Sequence, residues 1–360
     1  MKNAAFRVGA RRSGGAEKER YQNAGTLYQK GMTMATAIER NPIRNRGLEL
    51  IPVDQQNRHE EWLALRRGYV CGTDAGAIIG LNPYNSAFSV WAEKTGQVPE
   101  FQGNISTRVG SYLEDLVARL FMEETGKKVQ RLNRMIVNHA YPWAAANIDR
   151  EVIGEDAILE IKTTTSIGAI RKFRDGDYPE QWYGQIVHYM AVTGVQRAYL
   201  AALENNRELR IFELERNEDE IRALMDAEKA FWENYVLPKK TPPVDGHSAT
   251  SETIKQLFPF AGGDVADLSD MEDVFSQRKA LKAQQEALKT QIDKLDNQFK
   301  VRMENADKAC CGPYSVTWKE QKTAGLDREK IKADFPEIDF SKYASTSRVF
   351  RVTEKKVKSA

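Results

Sequence analysis

The stretch from Ala144 to Lys162 constrains the fold of this 360-residue chain more than any other part of the sequence. Two runs of strand-forming residues, roughly 143–153 and 157–162, flank the tripeptide Gly154-Glu155-Asp156. Short apolar runs that are separated by such turn residues are typical of a β-hairpin. We therefore expect the chain to contain at least one antiparallel pair of strands.

Three charged residues of this hairpin are placed so that they can meet. Glu160 and Lys162 lie two residues apart and point to the same face, and Asp149 lies on the opposing strand within reach of Glu160. Two carboxylates and an ammonium on a half-buried face are unfavourable unless something compensates the charge. Mg²⁺ or Mn²⁺ would do so through oxygen ligands, and the lysine would help to position or deprotonate a water. The alternative is a surface hairpin with a solvated ion pair.

Composition narrows the class of protein. The length predicts about two domains, and a hydrophobic content of 41% is enough for a sizeable core. The chain has no apolar run of about 18 residues, and its polar N-terminal part does not resemble a secretion signal. Cys71, Cys310 and Cys311 are too few for a disulfide framework or an iron–sulfur cluster and lack zinc-site spacing. We expect no membrane contact and a reduced, cytoplasmic location in a bacterial host or a phage-infected cell.

A candidate phosphate site lies between two predicted helices. The first covers residues 57–68, and the second runs to Ile79 after an N-cap at Thr73 or Asp74. Backbone N–H groups at the start of the second helix, the Thr73 hydroxyl and the Arg66 guanidinium could together hold a phosphate. The alternative is an ordinary helix cap beside a solvated arginine.

Two further helices carry polar candidates. In the amphipathic segment Ser106–Gly126, Glu114 lies at the edge of the apolar face. A partly buried glutamate needs a partner, such as a metal ion or a metal-bound water, and an exposed glutamate is the alternative. In the helix predicted for residues 181–191, Gln185 and Tyr189 are four residues apart and share a face.

The domain organisation follows from shifts in composition. Residues 1–50 hold ten Lys/Arg against four Asp/Glu without clear periodicity, which predicts a disordered basic extension. An α/β domain is predicted for residues 51–237, a proline-rich linker for 238–250 and an interaction module for 251–360. The other elements predicted in the α/β domain are a helix from Ser86 to Gly96, strands at 197–203 and 207–215, and a helix at 217–235.

The C-terminal module has a heptad pattern. Its apolar residues recur every seven positions, which predicts a coiled-coil-like helix of about 30 residues. These residues are Val274, Leu281, Leu288 and Leu295, with Ile292 and Phe299 at alternate positions of the seam. Strands at 314–318 and 347–352 around a short helix that starts near Leu326 complete a small α+β tail. The module shows no catalytic constellation, so an interaction role is expected.

The order of the candidate residues resembles that of the RecB-type PD-(D/E)xK nucleases. The matching residues are Glu114, Asp149, Glu160, Lys162, Gln185 and Tyr189. The upstream block Trp62-x-x-Leu65-Arg66-x-Gly68-x-x-x-x-Thr73 resembles the one that opens the YqaJ-like viral recombinases, the group that contains phage lambda exonuclease. The resemblance covers residues 57–237 and implies an α/β fold with a restriction-endonuclease-like core, in which helices flank a central mixed sheet.

The resemblance also implies a metal site. Asp149, Glu160 and the Ile161 carbonyl would bind Mg²⁺, for which Mn²⁺ can substitute. Glu114 would bind a second metal ion or a coordinated water. Lys162 would activate the attacking water.

Further roles follow from the same resemblance. Gln185 would orient Lys162 or the water, with Tyr189 in support. Arg66 and Thr73 would hold the terminal 5′-phosphate of the DNA. The family usually has serine at the position of Thr73, so the hydroxyl is kept but a methyl group lies beside the phosphate. Arg67 could compete with Arg66 for the phosphate.

The activity that the resemblance implies is 5′→3′ digestion of linear double-stranded DNA. It also implies a homo-oligomer, such as a ring-shaped trimer, and a RecT-type or Beta-type annealing protein that takes over the 3′ single strand. A structure-specific or site-specific endonuclease on the same core is a second hypothesis. A third is a DNA-binding or assembly protein with vestigial chemistry. The upstream block favours the exonuclease, and the complete set Asp149, Glu160 and Lys162 argues against the third hypothesis.

Overall fold

The computed structural model describes residues 43, 46–52, 59–99, 101–320, 328–339, 342 and 352. The predicted disorder of residues 1–50 therefore lies mostly outside the described residues. It is wrong for the end of that segment, because Ile43 is fully buried and a strand begins at Glu49. Arg46 also anchors this part of the chain through an ion pair with Asp156 at 2.6 Å.

The described part of the chain alternates strands and helices. The strands are β1 (Glu49–Pro52), β2 (Val70–Cys71), β3 (Lys128–Gln130), β4 (Arg134–Val137), β5 (Ala144–Ala146), β6 (Arg150–Ile153), β7 (Ala157–Thr164), β8 (Arg197–Glu204), β9 (Glu208–Glu215), β10 (Lys308–Cys311) and β11 (Tyr314–Thr317). The helices are α1 (His59–Arg67), α2 (Gly72–Ile78), α3 (Ala87–Lys94), α4 (Ile105–Thr125), α5 (Ile167–Arg174), α6 (Glu180–Thr193), α7 (Glu218–Phe231), α8 (Ser248–Leu257), α9 (Glu272–Met303) and α10 (Arg328–Asp334). A π-helical turn at Trp232–Val236 extends α7 to the predicted end of that helix.

The central sheet has five strands in the order β3-β6-β7-β8-β9. Its neighbours pair antiparallel except β7 and β8, which run parallel over their whole length. Parallel neighbours need a long crossover connection, and α5 and α6 supply it. Leu159 packs with α4 on one face, whereas Ile158 packs with α6 on the other. The predicted α/β class, with a mixed sheet between helices, is confirmed.

The predicted hairpin is only partly correct. Its second strand and its turn are present, but residues 143–153 do not form one strand, since β5 belongs to another sheet and only β6 pairs with β7. The ladder between β6 and β7 ends at the pair Arg150 and Leu159. Just beyond it, the Asp149 side chain accepts the N–H of Ile161 at 2.7 Å. The Asp149 side chain therefore satisfies the Ile161 N–H of β7 at the point where the chain passes from the second sheet to the central one.

The second sheet, in the order β1-β4-β5-β2, places the upstream block near Asp149. Its strands β2 and β5 are parallel, with Val70 opposite Ala144 and Cys71 opposite Ala145. Parallel strands end at the same edge of a sheet. Helix α2 follows β2 directly and the segment that leads to Asp149 follows β5, so both leave the sheet at that edge.

Helix α2 begins two or three residues earlier than predicted. Thr73 and Asp74 were the expected N-caps, but the helix starts at Gly72 after Cys71. The Asp74 carboxylate accepts the N–H of Cys71 at 2.8 Å, so it satisfies backbone from inside the first turn. Thr73 therefore keeps its hydroxyl available for another contact.

The chain divides into two compact units, of which the first ends at Phe258 and the second begins at Pro259. The predicted end of the α/β domain at residue 237 therefore comes too early. The predicted linker at 238–250 leads into α8, which packs on α3 through the hydroxyl contact of Ser89 with Thr253 at 2.8 Å. A helix that buries hydroxyls against the first unit belongs to that unit.

The second unit contains the predicted heptad helix as α9, a hairpin of β10 and β11, and the short helix α10. Of the strand predicted at 347–352, all but residue 352 lies outside the described residues. Among the helices of the described residues, none is long and apolar enough to cross a bilayer.

Candidate active site

Glu160 and Lys162 lie on the α6-facing side of β7, as the strand periodicity predicts. The Lys162 ammonium donates to Glu160 Oε1 at 2.6 Å and to Gln185 Oε1 at 2.9 Å. Gln185 in turn donates through Nε2 to the Tyr189 hydroxyl at 2.9 Å. The four predicted residues form one hydrogen-bonded chain from the central strand to helix α6.

Asp149 is held against this chain by the peptide of Ile161. Burial raises the pKa of the Asp149 carboxyl well above its usual value, and the Glu160 and Glu114 carboxylates raise it further. Burial also raises the pKa of Glu160, although the Lys162 ammonium opposes that shift. Both shifts have the same physical cause, because negative charge accumulates here in a place that water hardly reaches.

The charge of Glu160 is only partly compensated. Its Oε1 accepts from Lys162, whereas its Oε2 is buried and receives no hydrogen bond within the described part of the chain. Burial lowers the pKa of Lys162, but the Glu160 and Asp149 carboxylates outweigh this effect and raise it, so the lysine is an ammonium at neutral pH. An ammonium beside two carboxylates still leaves negative charge for a further cation.

Glu114 lies beside the cluster but has arginine partners. Its Oε1 bonds to Arg150, and Arg131 Nη2 lies 3.5 Å from the same oxygen. Arg150 is almost fully buried and also donates to Asp115 of α4 at 2.7 Å. Glu114 is thus close enough to influence Asp149 electrostatically, while its oxygen is bound by a guanidinium.

Arg150 and Arg131 were not found by reasoning from the sequence. A signal for Arg150 was present in the sequence, because it directly follows Asp149 within a run of strand residues. An arginine inside a buried strand needs a carboxylate partner. The sequence does not indicate which carboxylate would bind it, since Glu114 is 36 positions away.

The donor set suits a magnesium ion. Within the described residues, no group of three or more His, Cys, Asp or Glu side chains is arranged to hold a metal by itself. Mg²⁺ usually needs only one or two protein carboxylates and takes its other oxygens from water and substrate phosphate. Asp149 and Glu160 supply that pair, and the unpartnered Glu160 Oε2 is an oxygen that a cation would satisfy. The Ile161 carbonyl and Glu114 stay predictions as further ligands.

The predicted phosphate residues also meet. Arg66 Nη2 donates to Thr73 Oγ1 at 3.0 Å, and the Arg66 guanidinium lies 4.7 Å from the centre of the Trp62 ring. The ring supports the guanidinium from one side by a cation–π contact. Thr73 is exposed at the start of α2 and Arg66 is half-buried at the end of α1, and an anion can reach the pair from solvent.

A second ion pair lies beneath these two residues. The Lys94 ammonium is 2.8 Å from Asp74 Oδ2 and donates to the Arg66 carbonyl at 3.0 Å. Burial would raise the pKa of Asp74, but Lys94 and then Arg66 outweigh it and lower that pKa. The sequence analysis considered Asp74 only as a helix cap and did not consider Lys94.

The upstream block and the catalytic chain are neighbours. A Cβ atom on Gly72 of α2 would lie 2.4 Å from Tyr189 Cε1 and 3.0 Å from Gln185 Cγ of α6. Burial raises the pKa of the Tyr189 hydroxyl, as do Glu160 and Asp149, while Arg66 acts in the opposite sense. Tyr189 therefore lies between the carboxylate cluster and the arginine.

The chain is similar to several known proteins. Residues 61–196 match the sequence model of the YqaJ-like viral recombinase domain. A protein of Bacillus subtilis (strain 168), named Uncharacterized protein YqaJ, is 34% identical over 295 residues, which are 81% of this chain and 92% of that protein. The chain is also similar to two solved structures. The alkaline exonuclease LHK-Exo of Laribacter hongkongensis has a TM-score of 0.42 and 20% identity over 49% of this chain and 91% of that one. A phage-related exonuclease of Haemophilus somnus 129PT has a TM-score of 0.38 and 13% identity over 50% of this chain and 100% of that one.

The match with the Bacillus subtilis protein extends over most of the chain. On that sequence match, the chain belongs to the YqaJ-like viral recombinase family.

Proposed function

We propose that this protein is a metal-dependent exonuclease that hydrolyses phosphodiester bonds of linear double-stranded DNA. One observation carries the proposal: the Lys162 ammonium bridges Glu160 Oε1 and Gln185 Oε1 beside the half-buried carboxylate of Asp149. Two carboxylates and a lysine converge at the end of a buried strand. Such a set can bind a metal ion and support metal-assisted hydrolysis of a phosphate ester.

Asp149 and Glu160 would hold Mg²⁺, for which Mn²⁺ can substitute. When bound, the ion would stabilise negative charge on the attacking oxygen and on the leaving 3′-oxygen. The carboxylates are preorganised for it, because the Ile161 N–H fixes Asp149 and Lys162 fixes one oxygen of Glu160.

Lys162 would orient the attacking water, and its positive charge would stabilise the hydroxide that forms when the water loses a proton. Gln185 accepts one hydrogen bond from the lysine and donates another to Tyr189, so the ammonium cannot rotate away from the carboxylates without breaking the chain. Since Gln185 and Tyr189 are buried, these contacts are made without competition from water.

The Arg66–Thr73 site favours an exonuclease over an endonuclease. A terminal 5′-phosphate carries more charge than an internal phosphodiester, and a guanidinium with a hydroxyl beside it can bind the additional oxygens. The site lies next to Tyr189 across α2 and α6, so an end bound there would lie near the catalytic chain. Digestion would then proceed 5′→3′ and leave 3′ single strands for recombination by strand annealing.

The partners follow from that activity. The enzyme would bind ends of double-stranded DNA in the cytoplasm and transfer the 3′ strand to a RecT-type or Beta-type annealing protein. A homo-oligomer, such as a ring-shaped trimer, would keep the enzyme on its substrate. We assign the subunit contacts to α9, where apolar residues repeat every seven positions and remain more than half exposed within the second unit.

The test is digestion of a linear duplex that is labelled at one 5′ or one 3′ end, beside a closed circle, with Mg²⁺, with Mn²⁺ and with EDTA. We expect early release of the 5′ label in either metal, no release in EDTA and an intact circle. Nicking of the circle would identify an endonuclease on the same core. A lack of cleavage in both metals would favour the DNA-binding or assembly protein with vestigial chemistry.

A further inference from the structure

A buried ion pair outside the catalytic chain lies directly beneath the Arg66–Thr73 site. The side chains of Lys94 and Asp74 are only 4% and 8% exposed. The Lys94 ammonium contacts Asp74 Oδ2 and the Arg66 carbonyl, and the same Asp74 oxygen accepts the N–H of Cys71. One ammonium thus joins the end of α3 to the end of α1 and the start of α2.

Stability alone does not account for such a pair. Removal of two charges from water costs several kcal/mol per ion, and well-packed apolar residues are often at least as stabilising as a buried ion pair. What the pair does provide is directional contact, because the ammonium can satisfy its two acceptors only at one separation of α1 and α2. That separation also determines the distance from Arg66 to Thr73.

The charges of Asp74 and Lys94 also favour a role at the Arg66–Thr73 site. Asp74 lies next to Thr73 in the chain and near Arg66, so an uncompensated Asp74 carboxylate would compete with a bound anion for the Arg66 guanidinium. Lys94 neutralises that carboxylate from the buried side. Arg66 is then held at Thr73 Oγ1, where it faces solvent.

We propose that Lys94 and Asp74 are positioning residues that set the affinity of the Arg66–Thr73 site for a terminal 5′-phosphate. The proposal rests on the proposed function, in which that site binds the 5′ end of DNA. Neither residue contacts the substrate in this role. Both act through the backbone of Arg66 and Cys71.

The experiment compares kcat and KM on short duplexes with a 5′-phosphate or a 5′-hydroxyl. The main variant combines Lys94→Met with Asp74→Asn, which removes the charges at nearly constant volume and keeps an oxygen for the Cys71 N–H. Lys94→Arg alone keeps the positive charge beside Asp74 but changes the reach and direction of its donors, and it decides the matter if the double variant does not fold. Lys127→Met is the matched control, because Lys127 pairs with Glu155 beside the turn of the hairpin.

We expect the double variant to raise KM for 5′-phosphorylated ends about tenfold, the effect of one charge-assisted hydrogen bond. Its kcat and its rates on 5′-hydroxyl ends should stay within about twofold of wild type. This is the result expected when the lost interaction contributes equally to binding of the substrate and of the transition state. Lys94→Arg should show a smaller shift in the same direction, and Lys127→Met should show none.

Two results would overturn the inference in different ways. If the wild-type enzyme prefers phosphorylated ends and the folded variants keep that preference, the positioning role is wrong while the proposed function stands. If the wild-type enzyme has no such preference, the phosphate site fails and the positioning role fails with it. An equal loss of kcat on both kinds of end would indicate general damage to the fold and would also overturn the inference.

Discussion

At the scale of single residues, the candidate catalytic cluster carries more negative charge than its lysine offsets. Burial raises the pKa of both Asp149 and Glu160, the Glu160 carboxylate raises that of Asp149 further, and Glu160 Oε2 has no partner among the described residues. Such a group is costly to fold and gains most from a cation. The proposed metal ion would offset that cost.

Replacement of Lys162 tests the catalytic assignment. We expect Lys162→Ala to lower kcat by about a hundredfold or more, because it removes the group that orients the water and the contact that fixes Glu160 and Gln185. DNA binding, measured by fluorescence anisotropy with an end-labelled duplex, should hardly change. Lys172→Ala, which changes a half-exposed lysine of a surface ion pair, is the control. Full activity of Lys162→Ala would place the site elsewhere.

Replacement of Arg66 tests the phosphate assignment. Arg66→Ala should weaken binding of 5′-phosphorylated ends roughly ten- to a hundredfold, the range expected for a hydrogen bond to a charged group. Ends with a 5′-hydroxyl should be affected much less. Arg67→Ala is the matched control, because it is Arg66 that donates to Thr73. An equal loss on both kinds of end would remove the assignment.

At the scale of secondary-structure elements, the contact between α2 and α6 brings the two groups of residues together. It is close because glycines line it: a Cβ on Gly76 would lie 3.2 Å from Gln181 Cα, and one on Gly184 would lie 3.4 Å from Gly76 Cα. Without side chains between them, the helices can approach until Tyr189 lies against Gly72. The upstream block is therefore a neighbour of the candidate active site in space as well as in sequence order.

A methyl group at Gly72 tests this packing. Gly72→Ala should destabilise the protein by about 1–3 kcal/mol, the usual cost of overpacking, because the new Cβ would lie 2.4 Å from Tyr189 Cε1. It should also lower kcat, since Tyr189 cannot move without disturbing its bond to Gln185. The measurements are thermal unfolding and single-turnover cleavage. Gly246→Ala, whose Cβ would meet nothing within 4 Å, should change neither. Wild-type stability of Gly72→Ala would refute the packing argument.

At the scale of the whole molecule, the two units have different characters. The unit that ends at Phe258 contains the catalytic cluster and the buried ion pairs, whereas the second unit exposes much of its apolar surface along α9. Leu281, Leu288 and Leu295 are each more than half exposed on a helix of 32 residues, about 48 Å long. A seam of this length fits pairing with a second copy of the chain.

A charge in the seam tests that assignment. Leu288→Glu should shift the protein to a smaller species in sedimentation velocity, because a carboxylate would be buried without a partner at the centre of the paired helices. Cleavage of a short duplex should persist, while the number of nucleotides removed from long DNA in one binding event should decrease. Lys294→Glu, outside the heptad seam, is the control. An unchanged sedimentation coefficient for Leu288→Glu would show that α9 does not join subunits.

The outcome for the candidate site shows what local pattern can determine. Strand alternation was enough to place Glu160 and Lys162 on one face, and helical spacing was enough to place Gln185 beside Tyr189. The order of these residues along the chain was enough to identify the family. All of this depends on a few neighbouring positions and on the order of the motif along the chain.

Tertiary structure alone decided the rest. The sequence predicted one strand at 143–153, but competition between two sheets divides it into β5 and β6. It proposed a metal or a water as the partner of Glu114, whereas the folded chain brings Arg150 to that carboxylate. It did not pair Lys94 with Asp74, because both look like ordinary surface charges in the sequence. In each case the deciding contact joins distant segments, and charges in the interior take whichever partner the packing brings within reach.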